Sequence, residues 1–151
     1  MIHLVRRTWL GRFVALVVIA VPLCLRASAQ IIDYHQHLYS PDAGARSSPG
    51  PKGINAETLI RELDAAGIER AVVLSVAYGF SNPNKSPVRD EYAHVMAEND
   101  WTSAQVGQYP DRLIAFCSVN PLRFYALKEI ARCAKDPNLR TGLSCTSETP
   151  T

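Results

Sequence analysis

Residues Arg70–Val76 read RAVVLSV, a nearly unbroken run of aliphatic side chains. Such a run is typical of a strand in a parallel sheet, because helices cover both faces of that sheet. Leu113–Val119 (LIAFCSV) has the same character, and Ile31–His37 (IIDYHQH) forms a shorter apolar strand near the start of the chain. The sequence therefore predicts three strands in one buried parallel sheet.

Helical patterns follow each of these strands. The predicted helices cover Glu57–Ala66, Val88–Tyr109 and Leu122–Ala134. Asn55 is the expected N-cap of the first helix and Gly67 its C-terminal stop. In the third helix we expect Leu127, Ile130 and Ala131 to face inward. Strand and helix thus alternate along the chain, which predicts an α/β fold built from βαβ units.

The first 29 residues have the pattern of a secretory signal peptide. Arg6, Arg7 and Arg12 precede an apolar stretch over Phe13–Leu25, and Ala27–Ala29 is a small-x-small cleavage site. The Arg-Arg-Thr-Trp-Leu segment is also similar to a twin-arginine export signal. We therefore expect cleavage after Ala29 and a periplasmic or secreted protein with no stable membrane anchor; the alternative is an uncleaved anchor.

Removal of this segment changes the charge balance. The signal holds four of the 16 basic residues and no acidic one, so 12 basic residues face 14 acidic ones and the net charge becomes −2. A chain of that charge, without a basic patch, does not indicate nucleic-acid binding. Three cysteines remain in the mature chain. Their spacing matches no zinc or disulfide framework, and we expect Cys117 and Cys133 to be packing residues.

His35-Gln36-His37 closes the first strand and is the strongest chemical signal in the chain. Residues two apart in a strand project to the same face, so both imidazoles are expected on one side. Two neutral imidazoles suit a divalent metal, most often zinc. By the same alternation Asp33 shares that face and is a candidate to orient one imidazole. The alternative is a strand-end aspartate that accepts hydrogen bonds from the backbone.

The carboxyl ends of the other strands bring further candidates to the same face, where parallel α/β folds place their sites. They are Tyr78, in the polar loop 77–87, and Asn120, at the end of the third strand. Both are predicted to contact a small-molecule substrate, and Lys85 or Arg89 could meet an acidic one. A solvated turn is the alternative for each position. No glycine-rich loop follows the first strand, so nucleotide binding is not indicated.

Four segments together resemble the amidohydrolase superfamily, specifically its amidohydrolase-2 branch of metal-dependent enzymes. They are Ile32–His37, Ala65–Leu74, Tyr109–Ala115 and Ser118–Pro121. The resemblance implies a (β/α)₈ TIM barrel that holds one divalent metal, often zinc, with His35 and His37 as the first-strand ligands. It also implies hydrolysis of C–N or C–O bonds in small molecules, and some members decarboxylate. Further histidines and an aspartate base come from later strands of the family's barrel.

The mature part, 151 − 29 = 122 residues, is short for such a barrel, which needs roughly 200 residues or more. We expect the first three to four βα units over residues 30–143, an N-terminal half, followed by an aberrant polar tail over residues 144–151. His94, mid-helix, is expected to pack or face solvent rather than bind metal. With one choice of codons, a single A restored before codon 144 turns the tail into Lys-Leu-His-Phe-Gly-Asn-Ser-Asp, which suggests a frameshift.

We expect this truncated chain to be inactive by itself, because it supplies only part of the family's metal site. Two alternatives to a metal-binding half-barrel stay open. One is an inactive fragment whose open sheet edge promotes self-association. The other is a small exported non-catalytic binding domain in which the His-x-His pair is incidental. Metal binding by the two histidines separates these interpretations from the enzymatic one.

Overall fold

The computed structural model describes residues 31–47 and 53–144. The predicted signal peptide and most of the polar tail lie outside these residues. The elements are β1 (Ile32–Gln36), α1 (Pro41–Arg46), α2 (Ala56–Ala66), β2 (Arg70–Leu74), a 3₁₀ turn (Ala77–Ser81), α3 (Glu91–Val106), β3 (Leu113–Ser118), α4 (Ala126–Cys133) and β4 (Leu139–Ser144). Within the described part of the chain, each helix is too short or too polar to span a bilayer.

The four strands form one parallel sheet in the order β1-β2-β3-β4. Each strand is the neighbour of the next in the chain, and a segment that contains a helix joins each pair. This is the order of four consecutive strands in a (β/α)₈ barrel. The predicted α/β fold with a parallel sheet is confirmed, and a fourth strand extends it.

Helix α2 shows how local sequence builds the layer that covers this sheet. The side chain of Asn55 accepts a hydrogen bond from the Thr58 backbone N–H at 2.9 Å, and Gly67 ends the helix at φ 70°. Leu59 and Leu63 are buried against Ala71 of β2 and its neighbours. The predicted caps of this helix are therefore present. Leu59 and Leu63 face inward as their helical spacing predicts, whereas Ala66, expected on the same apolar stripe, is exposed.

The segment after Tyr39 is rich in proline, glycine and serine, and it contains helix α1. The Ser40 hydroxyl caps it by accepting a hydrogen bond from the Ala43 N–H at 3.1 Å, and Pro41 begins it. Proline suits a first helical position because its missing N–H would have no helical partner there. Part of this Pro, Gly and Ser content therefore marks the start of a short helix, with Ser40 as its cap and Pro41 as its first residue.

The inward face of helix α4 agrees only in part with the predicted one. Ile130 packs partly buried against the core as expected, but Leu127 is 81% exposed and Ala131 is also exposed. The buried positions are Ala126, Glu129 and Cys133. Glu129 can occupy an inward position because the Asn99 amide donates to it at 2.8 Å and the Arg132 guanidinium at 2.7 Å. The buried face of α4 therefore contains the paired carboxylate of Glu129, although hydrophobicity alone predicts that Leu127 is buried.

The two buried cysteines do more than pack. Cys117 of β3 and Cys133 of α4 form a disulfide, with their Cα atoms 6.2 Å apart. The prediction that they are simple packing residues was therefore wrong. Their spacing in the sequence matches no common disulfide framework, so no sequence pattern indicated this bond. The pairing arises because the fold brings both side chains into the same buried core cluster.

Candidate metal site

The two histidines of the first strand converge at the carboxyl end of β1. Their Nε2 atoms lie 3.1 Å apart, and the two rings meet edge to face with centroids 4.9 Å apart. His35 is exposed and His37 is half-buried. The spacing of two residues therefore brings both imidazoles together on one face, as the strand pattern predicts.

A hydrogen bond to the neighbouring strand fixes the ring of His37. Its Nδ1 lies 2.7 Å from the backbone carbonyl oxygen of Leu74, the last residue of β2. A carbonyl only accepts, so Nδ1 must carry the proton and donate it. In the neutral ring Nε2 then keeps its lone pair, and that atom is the one that faces His35. Metal-binding histidines commonly use this arrangement, in which the second ring nitrogen is held by a carbonyl.

The distance between the nitrogens fits two ligands of one metal ion. Zinc binds imidazole at about 2.0–2.1 Å with tetrahedral geometry, which places two ligand nitrogens roughly 3.3 Å apart. The 3.1 Å separation of the His35 and His37 Nε2 atoms is close to that value. Two imidazoles are half of a four-coordinate set. Among the described residues, no third histidine, cysteine or carboxylate joins this pair.

Another cluster of metal-type side chains lies elsewhere. It consists of Cys117, Glu129 and Cys133, all buried. The two sulfur atoms are joined to each other, and the carboxylate is paired with Asn99 and Arg132. These partners occupy the groups that a metal would need, so the cluster is a structural centre of the core.

Strand β1 contains a bulge between Asp33 and Gln36. Asp33 pairs with Ala71 and Gln36 with Val73, so three steps along β1 match two along β2. Both residues therefore pair with positions of β2 that share one face. Strict alternation, which placed Asp33 on the histidine face, fails at this bulge.

The carboxylate of Asp33 instead holds the bulge itself. It accepts from the His35 backbone N–H at 2.9 Å and from the Gln36 side chain at 2.6 Å. The backbone hydrogen bond, reinforced by Gln36, keeps the pKa of Asp33 below its ordinary value. Asp33 thus accepts from the backbone, which was the alternative role for a strand-end aspartate. Asp33 therefore shapes the strand that presents the histidines.

Tyr78 lines a cavity of about 290 Å³ between α1 and the 3₁₀ turn. Its backbone N–H donates to the Ser118 hydroxyl at 3.1 Å, which ties the end of β2 to β3. Tyr39 lies on the same cavity, and its ring centroid is 6.3 Å from that of His37. Lys85 also lines the cavity, whereas Arg89 is exposed beside Asp90. Tyr78, the predicted substrate contact, therefore lies on a cavity whose wall includes Tyr39, the neighbour of His37.

Asn120 uses both ends of its side-chain amide within the protein. The NH₂ group donates to the Ser81 carbonyl at 3.1 Å, and the oxygen accepts from the Leu122 N–H at 3.0 Å. These bonds form the turn after β3 and link it to the 3₁₀ turn. This geometry favours the turn role over substrate contact.

Sequence reasoning missed Glu98 on helix α3. This carboxylate is almost fully buried and accepts hydrogen bonds from the Ser40 N–H at 3.2 Å and from the Ser40 hydroxyl. Burial raises the pKa of Glu98 despite the opposing effect of the Ser40 bonds. Its partner is 58 positions away in sequence, so no local pattern could reveal it. Glu98 anchors the chain three residues after His37.

His94 plays a packing role, as expected from its place in a helix. Its ring stacks on Phe80 with centroids 5.2 Å apart, and its Nδ1 lies 2.7 Å from a carboxylate oxygen of Asp42. Both contacts join α3 to the segments that follow β1 and β2. His94 is therefore separate from the His35–His37 pair.

No protein-family model and no curated protein matches the chain. Among solved structures, it is similar to the crystal structure of a probable 2-pyrone-4,6-dicarboxylic acid hydrolase from Acinetobacter baumannii with citric acid bound, at 19% identity and a TM-score of 0.45. The match covers 76% of this chain and 36% of that one, so the chain spans about a third of the neighbour's length.

Proposed function

We propose that this chain carries the first strands of a metal-dependent hydrolase of the amidohydrolase-related type. In this proposal His35 and His37 bind one divalent metal ion, with zinc as the preferred metal. The observation that supports it is the pair of Nε2 atoms 3.1 Å apart, with the Nδ1 of His37 donating to Leu74. One ring is thereby fixed with its free lone pair toward the other.

A zinc ion bound there would lower the pKa of a coordinated water to about 7 and polarise a substrate carbonyl. The chain's own residues supply position and access. His37 is held by β2, and Asp33 fixes the bulge before it. The substrate is a small molecule cleaved at a C–N or C–O bond, with decarboxylation as the second reaction type. Export through the segment before Gln30 is part of the same proposal.

Zinc titration of the full chain tests the metal site. We expect wild-type protein to bind one zinc ion, His35→Ala and His37→Ala to lose it, and His94→Ala to retain it. His94 is the matched control because it is a partly exposed histidine whose contacts are with Phe80 and Asp42. Equal loss in all three variants, or binding that survives in the first two, would contradict the proposal. Absence of zinc binding by the wild type favours the non-catalytic binding domain.

The remaining ligands are proposed to come from strands beyond β4 in a closed barrel. Sequencing the genomic DNA past codon 143 tests this part. We expect a shifted reading frame that restores a Lys-x-His segment and continues through further strand and helix patterns. An early stop codon in that frame, or a continuation with no such alternation, would refute the frameshift and leave the histidine pair without partners from this gene.

A further inference from the structure

The cavity between α1 and the 3₁₀ turn has two cationic residues in its lining. Arg46 is the last residue of α1 and Lys85 follows the 3₁₀ turn. The Lys85 ammonium donates to the Arg46 carbonyl at 3.3 Å, and Arg46 donates to the Ser86 carbonyl at 3.1 Å. These two contacts hold both basic side chains at the same end of the cavity.

Neither cation has a carboxylate partner in the described part of the chain. The nearby acids are engaged elsewhere, since Asp42 pairs with His94 and Glu98 accepts from Ser40. In addition, the Arg46 Nε is buried and makes no hydrogen bond to any described residue. The cavity thus carries positive charge that no described carboxylate neutralises, which is a feature that attracts an anion.

The rest of the lining is largely apolar or aromatic. Phe80, Val76 and Ala43 contribute hydrocarbon surface, and Tyr39 and Tyr78 add two rings. The Arg46 guanidinium lies 5.6 Å from the centroid of Phe80, so its flat face is already supported by a ring. An inorganic anion would leave this hydrocarbon surface unused, whereas the carbon skeleton of an organic acid would cover it.

We propose that this cavity binds a small organic carboxylate, with the carboxylate held by Arg46 and Lys85 and the carbon skeleton against Phe80 and the two tyrosine rings. The cavity of about 290 Å³ has room for a single ring. If the metal function of His35 and His37 also holds, Tyr39 places this carboxylate site directly beside it.

Binding of benzoate to the full, metal-free chain tests the site. The measurement follows the backbone amide signals of Gly79 and Lys85 in ¹H–¹⁵N spectra during titration at low salt. We expect saturable shifts with benzoate, and at least about tenfold weaker binding of benzamide, which has the same shape without the charge. Inorganic phosphate should bind at least about tenfold more weakly than benzoate because it cannot use the apolar wall.

Charge-matched variants assign the binding to these residues. Arg46→Gln and Lys85→Gln should each weaken benzoate binding about tenfold, whereas Arg89→Gln should leave it unchanged. Arg89 is the control because its side chain is 97% exposed and it does not line the cavity. If Arg46→Gln unfolds the protein, Lys85→Gln decides. Equal affinity for benzamide or phosphate, an equal effect of Arg89→Gln, or no saturation with benzoate overturns the proposal.

The same titration separates this proposal from the metal site. His35→Ala/His37→Ala should lose zinc and keep benzoate binding, because neither histidine lines the cavity. If the wild type binds benzoate but not zinc, only the metal proposal is refuted. Zinc binding without benzoate binding would end the carboxylate site alone.

Discussion

The Nδ1 of His37 donates a 2.7 Å hydrogen bond to the backbone carbonyl of Leu74. This bond joins the ends of two adjacent strands and at the same time fixes which nitrogen of the ring is free. His37 is therefore both a structural residue and a candidate ligand. Among the described residues, the ring of His35 makes no such bond to a neighbouring strand, and its side chain contributes to the site through the contact with His37.

Replacing each histidine should separate the two roles. We expect His37→Ala to lower the free energy of unfolding by about 1 kcal/mol, because the Leu74 carbonyl loses its donor. His35→Ala should change it by less than about 0.5 kcal/mol, since that side chain is exposed. Urea denaturation of both variants in the presence of a chelator measures the difference. Equal effects would show that the bond to Leu74 contributes nothing specific.

Glu98 should give stability an unusual pH dependence. Because burial raises its folded-state pKa above the ordinary value of 4.5, the folded protein holds this proton more tightly than the unfolded chain. Its contribution to stability is present below pH 4.5 and is lost as the pH rises to the folded-state pKa. Urea midpoints measured between pH 4.5 and 7.5 should show this decline.

Glu98→Gln should remove that decline, because glutamine cannot ionise. Glu62→Gln is the control, since Glu62 is an exposed glutamate on helix α2. We expect this control to keep the wild-type pH profile. A Glu98→Gln profile that still falls over the same pH range would assign the effect to another group.

Removal of the disulfide should cause a measurable loss of stability. Cys117 and Cys133 are 16 positions apart, and closing a loop of that length stabilises a fold by about 3 kcal/mol. We expect the Cys117→Ala/Cys133→Ala variant to lose about that much in urea denaturation. Maleimide labelling of the denatured, non-reduced full chain should modify Cys24 and Cys145 and spare Cys117 and Cys133. Labelling of all four cysteines would show that the bond does not form.

Gly67 tests the C-terminal end of helix α2. It adopts φ 70°, and a Cβ added there would meet no atom within 4 Å. Gly67→Ala should therefore cost about 1 kcal/mol from backbone conformation alone. Gly79→Ala, also at an open position but without a positive φ, should cost less than about 0.5 kcal/mol. Thermal or urea unfolding compares the two, and an equal cost would argue against a conformational origin.

The features predicted correctly are those that depend on residues a few positions apart. The cap by Asn55, the stop at Gly67 and the aliphatic run of β2 are all local. The convergence of His35 and His37 is local too, because residues two apart in a strand share a face. The parallel sheet followed from repeating this local pattern along the chain.

The features that sequence reasoning missed depend on distant partners. Strand β1 departs from strict alternation where it pairs with β2 through a bulge. Leu127 faces outward because Asn99 and Arg132 stabilise Glu129 at a buried position of α4. Cys133 meets Cys117, 16 positions earlier in the chain, only in the folded core.

The sequence by itself determined the order of the elements and the spacing of the metal-type histidines, because propensity, capping and alternation act between near neighbours. Only the tertiary structure decided which carbonyl fixes His37, which carboxylate anchors Ser40 and which cations line the cavity beside Tyr39. Those contacts join residues about 40 or more positions apart in the chain, and their pairing depends on how the strands register and the helices pack.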